Sequence, residues 1–284
     1  MGRLSDRRRV LRFDGSRHQY RPDLLAVEEP LEIQLGGEPY SVTMRTPGDD
    51  VDLALGLLHS EGIVSTASDV VTAKHCTDSD LNVLEVTTVH PVAVSGRSFT
   101  VSSACGVCGT SSLDALRDHL SHGHGHDISA DGITVPSAVL SAAPDLLRQS
   151  QKVFAKTGGL HGAALITTDG TVECVREDVG RHNAVDKVVG WALRSDRVPL
   201  VGRILAVSGR VGAEIVQKAA AAGIPVIAAV SAPSTMAVDL AKSWGITLAG
   251  FVRDNRFNVY SGFDRILPTE PHGTIEQGLR DQLR

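Results

Sequence analysis

The sequence predicts an α/β protein, α+β overall, with a small N-terminal α+β roll followed by a larger α/β domain. Three observations predict it. Apolar strands alternate with helical patterns from residue 160 onward, a hairpin–helix–strand pattern occupies residues 31–88, and 42% hydrophobic content over 284 residues supplies two cores. The expected organisation is a flexible basic tail over 1–21, the roll over 22–127, the α/β domain over 128–268 and a C-terminal tail over 269–284.

Residues 1–21 hold seven arginines against Asp6 and Asp14, which predicts a solvated tail. Arg7-Arg8-Arg9 superficially resembles a twin-arginine export signal, but Phe13-Asp14-Gly15-Ser16-Arg17 follows instead of an apolar run. Leu31-Glu32-Ile33-Gln34-Leu35 alternates apolar with polar, and Gly36-Gly37 turns the chain into Tyr40–Met44, a hairpin signal. Asp49 or Asp50 then caps an amphipathic helix bearing Val51, Leu53, Ala54, Leu57 and Leu58, which ends at Gly62. Strands over about 69–76 and 81–88 flank the turn Asp78-Ser79-Asp80. A helix over about 111–120 and a His-rich loop (His119, His122, His124, His126) close this half; the loop is expected to be exposed, with adventitious metal affinity.

In the second half, a helix is expected to begin at Pro144, run to Lys156 and stop at Gly158-Gly159. Ala163–Ile166 and Val172–Val175 form a hairpin across Asp169-Gly170, and Val185, Val188, Val189, Ala192 and Leu193 line the next helix. Strands at 204–208, 225–231 and 246–252, separated by helices at 212–222 and 235–243, predict a largely parallel sheet covered on both faces.

Chemistry is concentrated in Ala104-Cys105-Gly106-Val107-Cys108-Gly109, a C-x-x-C pair in a chain with four cysteines. Glycines permit tight backbone conformations, and the capped helix start Thr110–Leu116 favours a thiolate just before it. Spacing alone leaves three roles open: a dithiol redox couple, half of a structural zinc site, or a sulfur carrier. So few cysteines form no disulfide framework, which suits the cell interior. No run of about 18 apolar residues predicts a membrane span. A net charge of −5 argues against a protein that coats nucleic acid.

Ligands of doubly wound sheets bind beyond the carboxyl ends of the strands, where Ser208-Gly209-Arg210, Ser231-Ala232-Pro233-Ser234 and Arg253-Asp254-Asn255-Arg256 fall. The first meets a helix N-terminus, a natural anion seat, yet no G-x-G-x-x-G or Walker A pattern is present. Arg253 and Arg256 have the chemistry to grip phosphates, or are solvated surface charges.

The runs Ser102–Gly109, Thr157–Ala164, Arg176–Lys187, Val207–Arg210 and Phe251–Tyr260 together resemble the FdhD family of formate dehydrogenase accessory sulfurtransferases, over roughly residues 22–267. The resemblance implies a cytidine-deaminase-like, three-layer C-terminal domain and a cytoplasmic, homodimeric sulfur carrier. Such a carrier takes sulfur from a cysteine desulfurase and passes it to the molybdenum cofactor in its bis-molybdopterin guanine dinucleotide form, on which formate dehydrogenase depends. GDP would serve as a partial mimic of that cofactor. By motif match Cys105 would carry the persulfide with Cys108 as helper, and Phe251, Val252, Arg253, Asp254, Asn255 and Arg256 would contact the cofactor; no metal ligands are implied. Deaminase chemistry itself is disfavoured, because His161-Gly162-Ala163 lacks the glutamate of H-x-E and the C-x-x-C lies upstream. His161, Arg181 and His182 receive no role from the motifs.

Overall fold

A computed structural model describes residues 3–76, 82–92, 100–101, 128 and 132–268. Cys105, Cys108, the 111–120 segment, the His-rich loop and the 269–284 tail lie outside the described residues, residue 268 being the last described. The fold is mixed α+β. Strands β3 (Glu29–Leu35) and β4 (Glu38–Arg45) form the expected hairpin. With β5 (Val70–His75), β6 (Val83–Thr88) and β7 (Thr100–Val101) they build a sheet of order β5-β6-β3-β4-β7. Leu31, Ile33 and Leu35 alternate onto one face, where Leu53, Ala54 and Leu58 of the Asp50–Ser60 helix cover them.

Residues 5–26 depart from the expected tail. They form an antiparallel ribbon of β1 (Ser5–Asp14) and β2 (Arg17–Ala26). Both faces of this ribbon are largely exposed, so no apolar alternation marks it in the sequence.

The second half carries a six-stranded sheet of order β10-β9-β11-β12-β13-β14. Its strands are β9 (His161–Thr167), β10 (Val172–Asp178), β11 (Arg203–Val207), β12 (Val226–Ala229), β13 (Thr247–Arg253) and β14 (Arg256–Ser261). Only β11/β12 and β12/β13 are parallel; β9, β10 and β14 pair antiparallel. The sheet is therefore mixed rather than largely parallel, because two tight hairpins supply its edges. Alternation explains the unbroken apolar strands: Leu205, Ile227 and Leu248 face the helices Arg181–Arg194, Ala213–Ala221 and Thr235–Ser243. Ile204, Ala206 and Val226 face Leu140, Ala143 and Leu147 of the Ser137–Ser150 helix. Pro144 lies inside that helix, not at its start, and Phe154–Thr157 is a separate turn of helix. Burial of the Leu140/Ala143/Leu147 stripe starts the helix at Ser137 and overrides the missing proline N–H. A short pairing of β8 (Val135–Pro136) with β15 (Ile266–Leu267) ties the entry of this helix to the end of the described chain.

The two halves meet where the Asp50–Ser60 helix crosses the Arg181–Arg194 helix. A Cβ added at Gly56 would lie 1.9 Å from the Asp186 carbonyl oxygen, and one at Gly190 would lie 1.8 Å from that of Asp52. The backbones touch at both points. Buried polar groups fasten the same seam. Lys187 Nζ lies 2.7 Å from Asp178 Oδ2, each side chain at most 1% exposed, and donates to the Thr46 carbonyl at 2.9 Å. Asp178 also accepts from the N–H groups of Thr46 and Gly180 and from Asn183 Nδ2, while Asn183 Nδ2 donates to Met44 O as well. Asp52 is bound by Arg176 and Arg194 at 2.8 and 2.9 Å. His59 places one ring nitrogen 3.0 Å from Val64 O and the other 3.0 Å from Ala221 O.

Gly190→Ala is expected to destabilise the protein by about 1–3 kcal/mol or more, although alanine is the better helix former, because the helices must part. Urea titration checks the sign. Lys187→Met should cost about 3–5 kcal/mol by leaving Asp178 a buried unpaired charge, and the double variant Lys187→Met/Asp178→Leu should recover a substantial part of it in the same titration.

Candidate functional site

Because β9 runs against β11 and β12, it begins at the rim where they end. Ser208 N–H donates to Gly162 O at 3.0 Å, Gly162 N–H donates back to Ser208 Oγ at 2.9 Å, and Val230 N–H donates to Val207 O. The loops after β11 and β12 are knitted together: Val211 N–H donates to Ala232 O, and Ser234 N–H to Val211 O. Phe251 N–H then donates to Ser231 O, so all three polar stretches predicted from the sequence share one rim.

A cavity of about 430 Å³ opens on this rim between Leu147, Arg148, Gln151 and Phe154 on one side and His161, Ser208 and Val230 on the other. Its wall is set by the sequence around the Thr157–Ala164 run. Gly158, with φ 67°, closes the Phe154–Thr157 turn in a conformation that favours glycine. Glu177 anchors the wall by accepting from the N–H groups of Val153 and Phe154 at 2.9 and 2.7 Å. At Gly162 a Cβ would lie 2.6 Å from Gln151 Nε2, so any larger residue there would push this buried amide from its place. Gln151 is 3% exposed, and its Nε2 has no hydrogen-bond partner among the described residues. Arg148 stacks on the Phe154 ring, 4.2 Å from its centroid.

His161 and Arg181 converge on the Ser208-Gly209-Arg210 loop: a Cβ on Gly209 would lie 3.2 Å from His161 Nδ1 and 3.6 Å from Arg181 Cδ. Burial, then the Arg181 guanidinium, hold the His161 imidazole below its ordinary pKa, against the smaller pull of Asp178. His161 is thus neutral at pH 7, with one donor and one acceptor nitrogen. His182 has a different setting. Its Nε2 lies 3.6 Å from Glu214, which neighbours the buried Lys218–Asp186 pair at 2.8 Å. Burial pushes the Asp186 carboxyl up to about 7, against the pull of Lys218.

The segment Phe251–Arg256 divides by burial. Phe251 is 40% exposed at φ 53°, where the β13–β14 register shifts. Val252 is fully buried under the Ser137–Ser150 helix, so it can offer a ligand only its backbone. Asp254 and Asn255 both have positive φ, as a tight two-residue hairpin requires, and these residue types tolerate it best after glycine. Arg253 and Arg256 are directly opposite across that hairpin and both exposed. The Arg256–Asp254 pair, at 3.6 Å with both side chains more than three-quarters exposed, adds little.

Of the two cysteines described, Cys174 is buried in the main core and Cys76 is half-buried; both are free. Burial pushes the Cys174 thiol up to about 12, which leaves it inert at neutral pH. Among the described residues, no group of three or more His, Cys, Asp and Glu side chains is arranged to hold a metal ion, and no helix is long and apolar enough to cross a membrane. Sequence reasoning missed Arg148, Gln151 and Phe154 as cavity residues. The glycine at 162 is the one local signal that could have pointed to Gln151.

The chain matches the FdhD/NarQ family over residues 26–267. The sulfur carrier protein FdhD of Nocardia farcinica is 51% identical over 271 residues, 93% of this chain and 96% of that protein. The sulfur carrier protein FdhD of Mycobacterium tuberculosis is 49% identical over 279 residues, 94% of this chain and 100% of that protein. The fold is similar to the crystal structure of a candidate formate dehydrogenase accessory protein from Desulfotalea psychrophila, with a TM-score of 0.74, 24% identity and coverage of 93% and 100% of the two chains. Matched over nearly its whole described length and about half identical to full-length relatives, the chain belongs to the FdhD/NarQ family and is a sulfurtransferase of the sulfur-carrier type.

Proposed function

We propose that this protein accepts sulfur from a cysteine desulfurase as a persulfide on Cys105 and delivers it to bis-molybdopterin guanine dinucleotide bound at the rim. The delivery would prepare the cofactor for a formate dehydrogenase in the cytoplasm. The observation that carries the reading is the exposed Arg253/Arg256 pair on the hairpin whose Phe251 is bonded to the rim at Ser231. Two like charges directly across a hairpin repel, and a dinucleotide's phosphates turn that repulsion into attraction. Phe251 exposes its ring on the same segment, and Ser231 links it to the cavity edge at Val230. The three-layer arrangement, with one helix on one face of a mixed sheet and three on the other, supports a cytidine-deaminase-like domain as the platform.

In this reading the Cys105 thiolate attacks the desulfurase persulfide and takes its outer sulfur, and the desulfurase thiolate leaves. Attack by the Cys108 thiolate on the inner sulfur of Cys105 then expels hydrosulfide toward the cofactor. A Cys105–Cys108 disulfide remains, and a cellular dithiol reduces it by exchange. The inertness of Cys174 supports keeping it out of this chemistry.

Cys105→Ala should abolish activation of formate dehydrogenase while changing stability by less than about 1 kcal/mol. Intact mass after incubation with desulfurase and cysteine should show one added sulfur on the wild type and none on the variant. Replacing both Arg253 and Arg256 with Ala should weaken GDP binding by about 1.5–3 kcal/mol per lost charge-assisted bond, with sulfur loading on Cys105 retained. Titration calorimetry checks this, and unchanged GDP affinity would remove the segment from the site.

A further inference from the structure

His59 stands in the last turn of the Asp50–Ser60 helix, on the seam between the halves, and takes no part in the rim. It is 5% exposed, and a backbone carbonyl oxygen lies 3.0 Å from each of its ring nitrogens. Nδ1 meets Val64 O, in its own half, and Nε2 meets Ala221 O, in the other. The sequence creates the second need. At the end of the Ala213–Ala221 helix, the N–H groups of Ala222, Ile224 and Gly223 close the carbonyls of Lys218, Ala219 and Ala220. The helical donor for Ala221 would come from residue 225, which is proline and has no N–H. His59 supplies that donor from across the seam.

A neutral imidazole has one N–H and one lone pair, whereas a carbonyl oxygen only accepts. With a carbonyl at each nitrogen, the neutral ring satisfies one and turns a lone pair on the other. Only the imidazolium donates to both. Burial opposes its charge, so the surroundings must repay the lost hydration. Two helix carboxyl ends do so, since His59 lies in the last turn of one helix and on the last residue of another.

The charged groups around it favour a cation as well. Glu61, bonded by the Tyr40 hydroxyl, follows on its own helix, and Asp186 faces the seam from the Arg181–Arg194 helix. The Ala213–Ala221 helix adds Lys218 and Glu214, with His182 beyond Glu214. On the turn after the Arg181–Arg194 helix, Asp196 is exposed, while Arg194 and Arg197 are held by Asp52 and Glu173. Three carboxyl groups thus meet one ammonium. With the Asp186 carboxyl pushed up to about 7 and partly protonated, Glu61 and Glu214 still outnumber Lys218.

We propose that His59 is a buried imidazolium latch that joins the two halves through their helix ends, and that raising the pH above neutrality opens it. The inference is independent of the sulfur-transfer reading, because the latch includes neither the C-x-x-C pair nor the rim loops. The folded protein holds this proton more tightly than the unfolded chain, where a histidine titrates near about 6.5. The latch therefore contributes fully below that pH, and its contribution is lost as the pH rises through the folded value.

Proton–nitrogen correlation spectra of the full chain labelled with ¹⁵N-histidine test it at about pH 7, with His59→Gln identifying the resonances. Both His59 nitrogens should carry the shift of a protonated N–H, and a lone-pair shift on either overturns the proposal. Urea titrations supply a second reading. Between about pH 6 and about pH 9, the advantage of the wild type over His59→Gln in folding equilibrium constant should fall about tenfold or more. Asp186 titrates in both proteins and cancels in the difference. An advantage that stays constant or grows with pH overturns the proposal. Where His59→Gln does not fold, His59→Asn replaces it. Where neither folds, the wild-type spectra suffice: one of the eleven imidazoles must keep both protons at about pH 8, and none doing so overturns the proposal.

Discussion

Two helix backbones in this protein touch without side chains between them. Gly56 and Gly190 allow the approach, and each lies against a carbonyl of the opposite helix. Any side chain at either position would hold the helices apart by the width of a methyl group or more. The contact then sets the distance at which everything else on the seam must work: Lys187 can reach Thr46, Arg176 and Arg194 can close on Asp52, and His59 can reach the carboxyl end of the Ala213–Ala221 helix. Buried charges are tolerated there because each is met by an opposite charge or by several hydrogen bonds at close range. Moving the helices by an ångström would strand several of them together, so the seam is cooperative.

The rim inherits its shape from this seam. Asp178 and Lys187 hold the end of β10 and the first turns of the following helix, the stretch that places Arg181 beside His161. Glu177, one residue before Asp178, faces the other way and seats the Val153–Phe154 turn that walls the cavity. Adjacent residues of one strand thus serve the seam between the two halves and the wall of the cavity. This explains how a run as polar as Arg176–Lys187 can sit largely inside the molecule.

That run also marks where sequence reading stops. Elements whose burial is one-sided or complete were legible: the β3–β4 hairpin, the Thr235–Ser243 helix and the apolar strands near 204, 226 and 247 carry periodicities that only one structure satisfies. Strand direction was not, since the apolar run of β9 is the same whether it pairs parallel or antiparallel with β11. The β1–β2 ribbon was invisible because neither face is buried, and Pro144 misled because tertiary packing outweighed a local rule. The rim loops were found from the general position of ligands in layered sheets, and they do meet. Asp178, Lys187, Asp186 and Lys218 could not be read as interior residues, for charge in a sequence signals surface until its partner, far along the chain, is known.

A protein that handles sulfane sulfur must also keep it from spreading. Exchange of a persulfide onto another thiol requires the thiolate, and a thiol held near pKa 12 is ionised in only about one molecule in 10⁵ at pH 7. Cys174 lies in the main core, in a strand that neighbours β9, yet it is chemically silent toward the cargo. Its burial acts as insulation: the core can contain a sulfur atom without becoming a branch point in the route that sulfur takes.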